Sequence, residues 1–277
     1  MNSNIGFIGG GNMSTAIGKG IVKSDPSTAS KIWVSGPHLK NLIHWSDMGA
    51  NVTTKNYEVF NNCDIVFLGV KPNILSEAIN GCVNGIEKLS NRHVLFVSML
   101  AGISLDNLHE VLKLLAPYAK INVIRIMPNT PMTVGAGVCI YTPDANVSDD
   151  QCCLLEKLLN TSGMCEKVQE PMIDTLGTLT GCGPAFMYMV IEALADGAVK
   201  QGVPRAVAQR YAAQVLIGSG KMVLESGKHP GLLKDEVCSP GGTTICGVNA
   251  LENGKLRATM ISAIEAAVMR NRELAKH

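Results

Sequence analysis

Aromatic residues are scarce. Tryptophan, tyrosine and phenylalanine together make up 4% of the 277 residues, too few for stacking platforms that would bind bases or sugars. Net charge is nearly absent too: at +1 the chain has no electrostatic footprint for nucleic acid or an anionic membrane surface. No apolar run approaches the ~18 residues of a membrane-spanning helix, so no membrane partner is expected. The nine cysteines (Cys63, Cys82, Cys139, Cys152, Cys153, Cys165, Cys182, Cys238 and Cys246) form no CxxC pair. The six histidines fall at no zinc-binding spacing, and no metal is expected. An odd count of scattered cysteines points to reduced thiols and a reducing compartment. The chain reaches its first apolar segment at Ile5, leaving no room for a targeting peptide. A cytoplasmic protein is expected.

Rival chemistry is missing as well. There is no GxxxxGK[ST] phosphate loop, and no tyrosine is followed four residues on by lysine. The segment Gly181-Cys182-Gly183-Pro184-Ala185 lacks the lysine that a β-hydroxyacid dehydrogenase would place on the first long helix of its second half.

What is present begins with Ile5-Gly6-Phe7-Ile8, a short buried strand, then Gly9-Gly10-Gly11-Asn12-Met13-Ser14 and a helical pattern through Val22. Strand, glycine turn and helix start give a GxGxxG-like match its meaning. Gly9 makes the turn, Gly11 admits a pyrophosphate to the helix N-terminus, and Ser14 is small enough for close packing. Further strands read at Lys31–Ser35, Asp64–Val70, His93–Ser98, Ile121–Met127 and Gly137–Tyr141, with a helix at Ser148–Ser162. The near-continuous apolar runs are those of a parallel sheet covered on both faces. After Ser35-Gly36-Pro37-His38 no acid appears until Asp47, so a ribose 2′-phosphate meets no repulsion there, and no arginine grips it either. Lys71-Pro72 stands at a strand's C-terminal end, where Lys71 faces either a phosphate or solvent. The domain is expected to end near Gly163–Val168.

Beyond Glu170-Pro171 the alternation stops. Helices are predicted over Met172–Thr180, from Gly181 through Lys200, over Arg205–Glu225 and over Lys255–Lys276, with Gly227–Pro240 a loop. Alanine, glycine and serine lie on several faces of these helices, which implies close helix contacts and burial on more than one side. About a hundred such residues bury themselves poorly alone, and a second copy is expected. Late in the chain, Val237-Cys238-Ser239-Pro240-Gly241-Gly242-Thr243-Thr244 joins two adjacent glycines and three hydroxyls to a helix running on from Ile245. Such an N-terminus suits a carboxylate or phosphate.

Taken with Val70-Lys71-Pro72, Met127-Pro128-Asn129-Thr130-Pro131, Gly181–Ala185 and His229-Pro230-Gly231 through Asp235, this stretch resembles the pyrroline-5-carboxylate reductases over nearly the whole length. The resemblance implies an α/β fold: a Rossmann-type doubly wound sheet over residues 1–167, then an all-helical substrate-binding and dimerisation domain over 168–277. It implies NADPH-dependent reduction of 1-pyrroline-5-carboxylate to proline, with NADH as a second cofactor. Ile8, Gly9, Gly10, Gly11, Asn12 and Met13 would hold the dinucleotide. Ser35, Gly36 and Asn56 would lie at the adenosine ribose, while Val70, Lys71, Pro72, Met99, Leu100 and Ala101 line the cleft. Asn129 and Thr130 would lie near the nicotinamide. Ser239, Gly242 and Thr243 would hold the substrate carboxylate, and Thr244 would meet the ring nitrogen as a catalytic orienter. Homodimers interlocked through the helical half, assembled into a larger ring such as a decamer, are also implied. Alternatives are a reductase of another small imine or ketone, or a non-catalytic dinucleotide sensor. The sensor would keep Gly9 and Gly11 without needing Ser239, Thr243 and Thr244 together.

Overall fold

The computed structural model describes residues 3–86 and 92–274. Its strands are β1 (Ile5–Ile8), β2 (Ile32–Ser35), β3 (Asn51–Thr53), β4 (Ile65–Leu68), β5 (His93–Ser98), β6 (Lys120–Pro128), β7 (Gly137–Pro143) and β8 (Gly163–Lys167). They form one sheet in the order β3-β2-β1-β4-β5-β6-β7-β8. The first six strands in that order are mutually parallel; β7 runs antiparallel to β6, and β8 parallel to β7. The chain leaves β1 toward β2 and returns to β4 on the other side. That reversal between β1 and β4 opens a crevice at the strands' C-terminal ends, where ligands bind in such sheets.

The period-two alternation of each strand feeds two cores. Ile5, Phe7, Ile65, Phe67, Leu95 and Val97 face one, with α1 (Asn12–Ser24), Trp45 of α2 (Ile43–Asp47) and α6 (Asp149–Leu159). Ile8, Val66, Leu68, Val94 and Phe96 face the other, covered by α3 (Asn56–Asn62), α4 (Leu75–Val83) and α5 (Leu105–Leu112). Both faces are dry, which is why these strands read as unbroken apolar runs.

The stretch expected to close the domain, Gly163–Val168, is instead the eighth strand. It is an edge strand whose outward residues Glu166 and Lys167 are exposed while Cys165 alone turns inward, a pattern too short and polar to read. The two helices expected on either side of Gly181 are one, α7 (Glu170–Lys200), with Pro184 inside it. A proline there leaves the carbonyl four residues back without its donor. That carbonyl, Thr180 O, accepts instead from Asn129 Nδ2 at 3.1 Å, so the helix continues.

Compact packing divides the chain at Gly181/Cys182 and returns the end of the last helix, from Arg270, to the first unit. The start of α7 belongs to the first unit because Arg125 of β6, 3% exposed, pairs with Asp174 Oδ1 at 2.6 Å and Glu170 Oε1 at 3.5 Å. Glu170 Oε1 in turn accepts from Leu105 N at the head of α5, at 2.9 Å.

The second unit is helical: the rest of α7, α8 (Arg205–Ser226), α9 (Pro230–Val237), α10 (Thr243–Asn253) and most of α11 (Leu256–Leu274). The predicted end of the last helix at Lys276 lies outside the described residues. α9 occupies the segment expected to be loop. Pro230 sits at its first turn, His229 Nδ1 accepts from Gly231 N at 3.0 Å, and Lys228 pairs with Glu236 at 2.6 Å. A proline and a side-chain cap make a helix start from a sequence that reads as a turn. Small residues supply the interior (Ala195, Ala208, Ala212), whereas Met189, Tyr211, Val215, Leu224 and Met269 are exposed. α7 is also long and apolar enough to cross a membrane by length and composition, against expectation. Threonines, glycines and a few charged residues interrupt its apolar positions, so the average is apolar although no unbroken run of that length is. Only 6% of that window is buried, leaving an apolar face without a partner in one copy.

Candidate active site

The glycine turn after β1 is shaped by what surrounds it. Gly9 has φ +100°, and a Cβ there would stand 2.7 Å from the Gly69 carbonyl; only glycine fits. At Gly10 a Cβ would meet Leu42 Cδ2 at 2.4 Å, whereas at Gly11 it would meet nothing within 4 Å. Gly11 is the N-cap of α1, with no side-chain cap and no acid in the first turn. The helix therefore presents bare N–H groups and its positive end to open space, which suits a diphosphate. Ser14, third in the glycine pattern, is 1% exposed; its Oγ donates to Gly9 O at 2.6 Å and so locks the turn.

Two adjoining cavities open there, of 580 and 480 Å³, sharing Gly9, Gly36 and Val70. The first also takes Gly10, Gly11 and Asn12, and the second Ser35 and Asn56. Eight of the expected cofactor residues thus come together. Ser35 and Asn56 are tied to each other: Ser35 Oγ donates to Asn56 Oδ1 at 2.7 Å, and Asn56 Nδ2 donates to Ala78 O at 2.9 Å. They form a floor, with the Ser35 hydroxyl proton already committed.

The other expected residues fall outside these cavities. Ile8 and Leu100 are buried in the core, so their side chains line nothing; Met13 packs against the core. Lys71, Pro72, Ala101 and Thr130 are exposed, and Met99 lies against Gly69. Asn129 is 7% exposed, and besides donating to Thr180 O it accepts from Val138 N at 2.8 Å. Both ends of its amide are engaged in holding α7 against β7. Cavity residues the sequence did not reveal are Thr15, Asn41 and His44 on one side, and Thr54, Glu77 and Asn80 on the other. Thr15, His44, Glu77 and Asn80 come from α1, α2 and α4, Asn41 from the turn before α2 and Thr54 from the turn after β3, and their spacing carries no motif. Thr15 Oγ1 donates to Gly11 O at 2.9 Å, so at 2.9 Å it accepts from His44 Nε2.

In the second unit, Ser239 to Gly242 form a turn with Gly242 N donating to Ser239 O at 3.0 Å. Pro240 occupies its second position, and Gly241 its third at φ +67°, the arrangement of a type II turn. Gly242 is the N-cap of α10, again with no side-chain cap and no acid in the first turn. The N–H groups of Thr243 and Thr244 point out of the helix end, and Ser239 Oγ lies 2.3 Å from where a Gly242 Cβ would stand. Any side chain at 242 would displace that hydroxyl. Thr244 is therefore the second residue of α10 and not its cap. Backbone donors, a helix positive end and three hydroxyls suit an anion such as a carboxylate.

Known proteins bear on this arrangement. The family described as pyrroline-5-carboxylate reductase dimerisation matches residues 170–274, and that described as NADP oxidoreductase, coenzyme F420-dependent, matches residues 4–102. The chain is similar to pyrroline-5-carboxylate reductase 3 of Danio rerio, 42% identical over 98% of this chain and 91% of the relative. It is also similar to pyrroline-5-carboxylate reductase 2 of Homo sapiens, 39% identical over 98% and 83%. The solved pyrroline-5-carboxylate reductase of Coxiella burnetii superimposes with TM-score 0.87 at 31% identity, covering 99% of each chain. The Plasmodium falciparum pyrroline carboxylate reductase, solved with NADP bound, gives 0.83 at 30% identity, over 99% of this chain and 98% of that one. The exposed apolar helices and α7 lie within the dimerisation match, so a second copy rather than a lipid bilayer is their natural cover. With resemblance at this level running end to end, this chain belongs to the pyrroline-5-carboxylate reductase family.

Proposed function

We propose that the chain reduces 1-pyrroline-5-carboxylate to proline, with NADPH as reductant and NADH accepted. The observation that carries the reading is the pairing of an uncapped α1 behind an open Gly11 with an uncapped α10 behind Ser239 and Gly241. One bare helix end suits a diphosphate and the other a carboxylate. Bound NADPH supplies a hydride.

The chain's own residues bind and orient. The segment from Ile8 to Met13 holds the diphosphate through the first N–H groups of α1; Ser35, Gly36 and Asn56 form the ribose floor, and Val70 shapes the cleft with Lys71, Pro72, Met99 and Ala101, and Leu100 through its backbone. Asn129 and Thr130 set its nicotinamide end, Asn129 through the backbone it holds. Ser239, Gly242 and Thr243 take the substrate carboxylate, and the Thr244 hydroxyl hydrogen-bonds the ring nitrogen. Holding the imine in one orientation lowers the barrier by several kcal/mol. The imine nitrogen is basic enough to be protonated by water near neutral pH, so Thr244 need not give up its proton.

The chain acts as a homo-oligomer. The finer reading is a dimer interlocked through residues 168–277 and assembled into a ring such as a decamer, in the cytoplasm. Steady-state oxidation of NADPH with pyrroline-5-carboxylate, set against other cyclic imines and small ketones, tests the activity. A kcat/KM for pyrroline-5-carboxylate no higher than for the rest would overturn it.

A further inference from the structure

We propose that Glu77 is a specificity-determining residue that weighs against a ribose 2′-phosphate and so narrows any preference for NADPH over NADH. The inference rests on the reading that the adenosine end of a dinucleotide occupies the 480 Å³ cavity beside Ser35 and Gly36. In folds of this kind an acid at the end of β2 commonly accepts from the ribose hydroxyls and repels a 2′-phosphate. Here Ser35-Gly36-Pro37-His38 supplies none.

The acid arrives from another element. α4 turns Glu77, Asn80, Gly81 and Asn84 toward the cavity, the spacing of one helical face. That face lies against the ribose floor: a Cβ at Gly81 would stand 3.3 Å from Asn56 Nδ2, and Asn56 Nδ2 donates to Ala78 O on the same helix. Glu77 sits one turn before Gly81. It is the cavity's one ionisable lining residue, and among the described residues it has no ion-pair partner.

Among the described residues that line this cavity there is no cation to offset it. Lys55, the nearest lysine in sequence to Asn56, pairs with Glu58 at 3.7 Å. The Ser35 hydroxyl donates to Asn56, and Gly36 N donates to Thr53 O at 3.1 Å. The floor thus offers few free donors to a dianionic phosphate, while a carboxylate faces it. A ribose bearing its 2′-hydroxyl meets the reverse situation, an acceptor for the proton it donates.

The test is binding to the wild-type enzyme and to Glu77→Gln, read by nicotinamide fluorescence for NADPH and NADH and by isothermal titration calorimetry for 2′,5′-ADP and 5′-AMP. The substitution keeps size and removes charge at an exposed position. Two like charges across a solvated cavity, only partly screened at low salt, predict that Glu77→Gln tightens NADPH and 2′,5′-ADP about three- to tenfold, with NADH and 5′-AMP held within about twofold. The gain should shrink at about 0.5 M salt, where the screening length is a few Å. Equal changes for ligands with and without the 2′-phosphate, no change at all, or a gain indifferent to salt would each overturn the assignment while leaving the cofactor reading intact. Failure of the wild-type enzyme to bind either dinucleotide would overturn both.

Discussion

Replacing Thr244 by alanine separates two roles that a hydroxyl at a helix start can play. Were Thr244 a cap, its loss would cost about 1 kcal/mol of stability and leave chemistry alone. The structure puts the cap at Gly242 and Thr244 inside the first turn of α10, with no hydrogen bond from its hydroxyl. Nothing in the folded chain is therefore lost with it, and alanine gains a few tenths of a kcal/mol in helix propensity over a β-branched residue. Thr244→Ala should match or slightly exceed the wild type in thermal stability. Against the substrate the same change removes one hydrogen bond to a cationic nitrogen, worth roughly 1.5–3 kcal/mol, or about ten- to a hundredfold in kcat/KM. Cofactor affinity should hold, and Thr244→Ser should restore most of the rate. Thermal melts, NADPH binding and steady-state kinetics on both variants decide the matter. A destabilised Thr244→Ala with unchanged kcat/KM on its folded fraction would mean that Thr244 serves α10 and not the substrate.

Four further expectations come from the rest of the fold. Asp174→Ala should destabilise by about 2–3 kcal/mol, because it strands the buried Arg125 with only Glu170 at 3.5 Å. Arg125→Met leaves two carboxylates that water reaches and should cost about 1 kcal/mol or less; urea unfolding giving equal costs would contradict this. The exposed Cys153 and Cys246 should react with a chromogenic disulfide in the native protein while buried Cys63, Cys82, Cys139 and Cys165 do not. Burial pushes the Cys82 thiol from its ordinary 9.0 up to about 12. Its contribution to stability is therefore full below pH 9 and falls as pH rises toward 12, since only the unfolded chain gives up the proton there; a melting temperature flat across that range would argue against it. Light scattering at low micromolar concentration should show no active monomer, because Tyr211 and Val215 of α8 are 63% and 59% exposed in a single copy. An active monomer would mean those faces need no cover.

The sequence made the sheet legible where strands are buried on both faces, from Ile5–Ile8 through Gly137–Tyr141, because doubly covered strands must be apolar throughout. It hid β3 and β8, which lie at the edges and are short, with few apolar residues. It also hid α9, where His229-Pro230-Gly231 signals a turn but caps a helix. Pro184 misled for a related reason: the donor replacing its missing N–H is Asn129, 51 residues away along the chain. The glycine turn was legible because backbone chemistry demands glycine there. Glu77 and His44 were not, since only the packing of α4 and α2 brings them to the cleft. Ser35 and Asn56 are expected at the ribose end, but their bond to each other is not foreseeable from residues 21 apart.

The central claim is that this chain delivers a hydride to the imine carbon of pyrroline-5-carboxylate. Turnover with NADPH deuterated at the transferring carbon of the nicotinamide tests it most directly, with the product read by mass spectrometry and NMR. One deuterium per turnover is expected on C5 of proline, with the nitrogen proton drawn from solvent. NADPH oxidation that proceeds without the imine, or proline carrying no deuterium at C5, would contradict it.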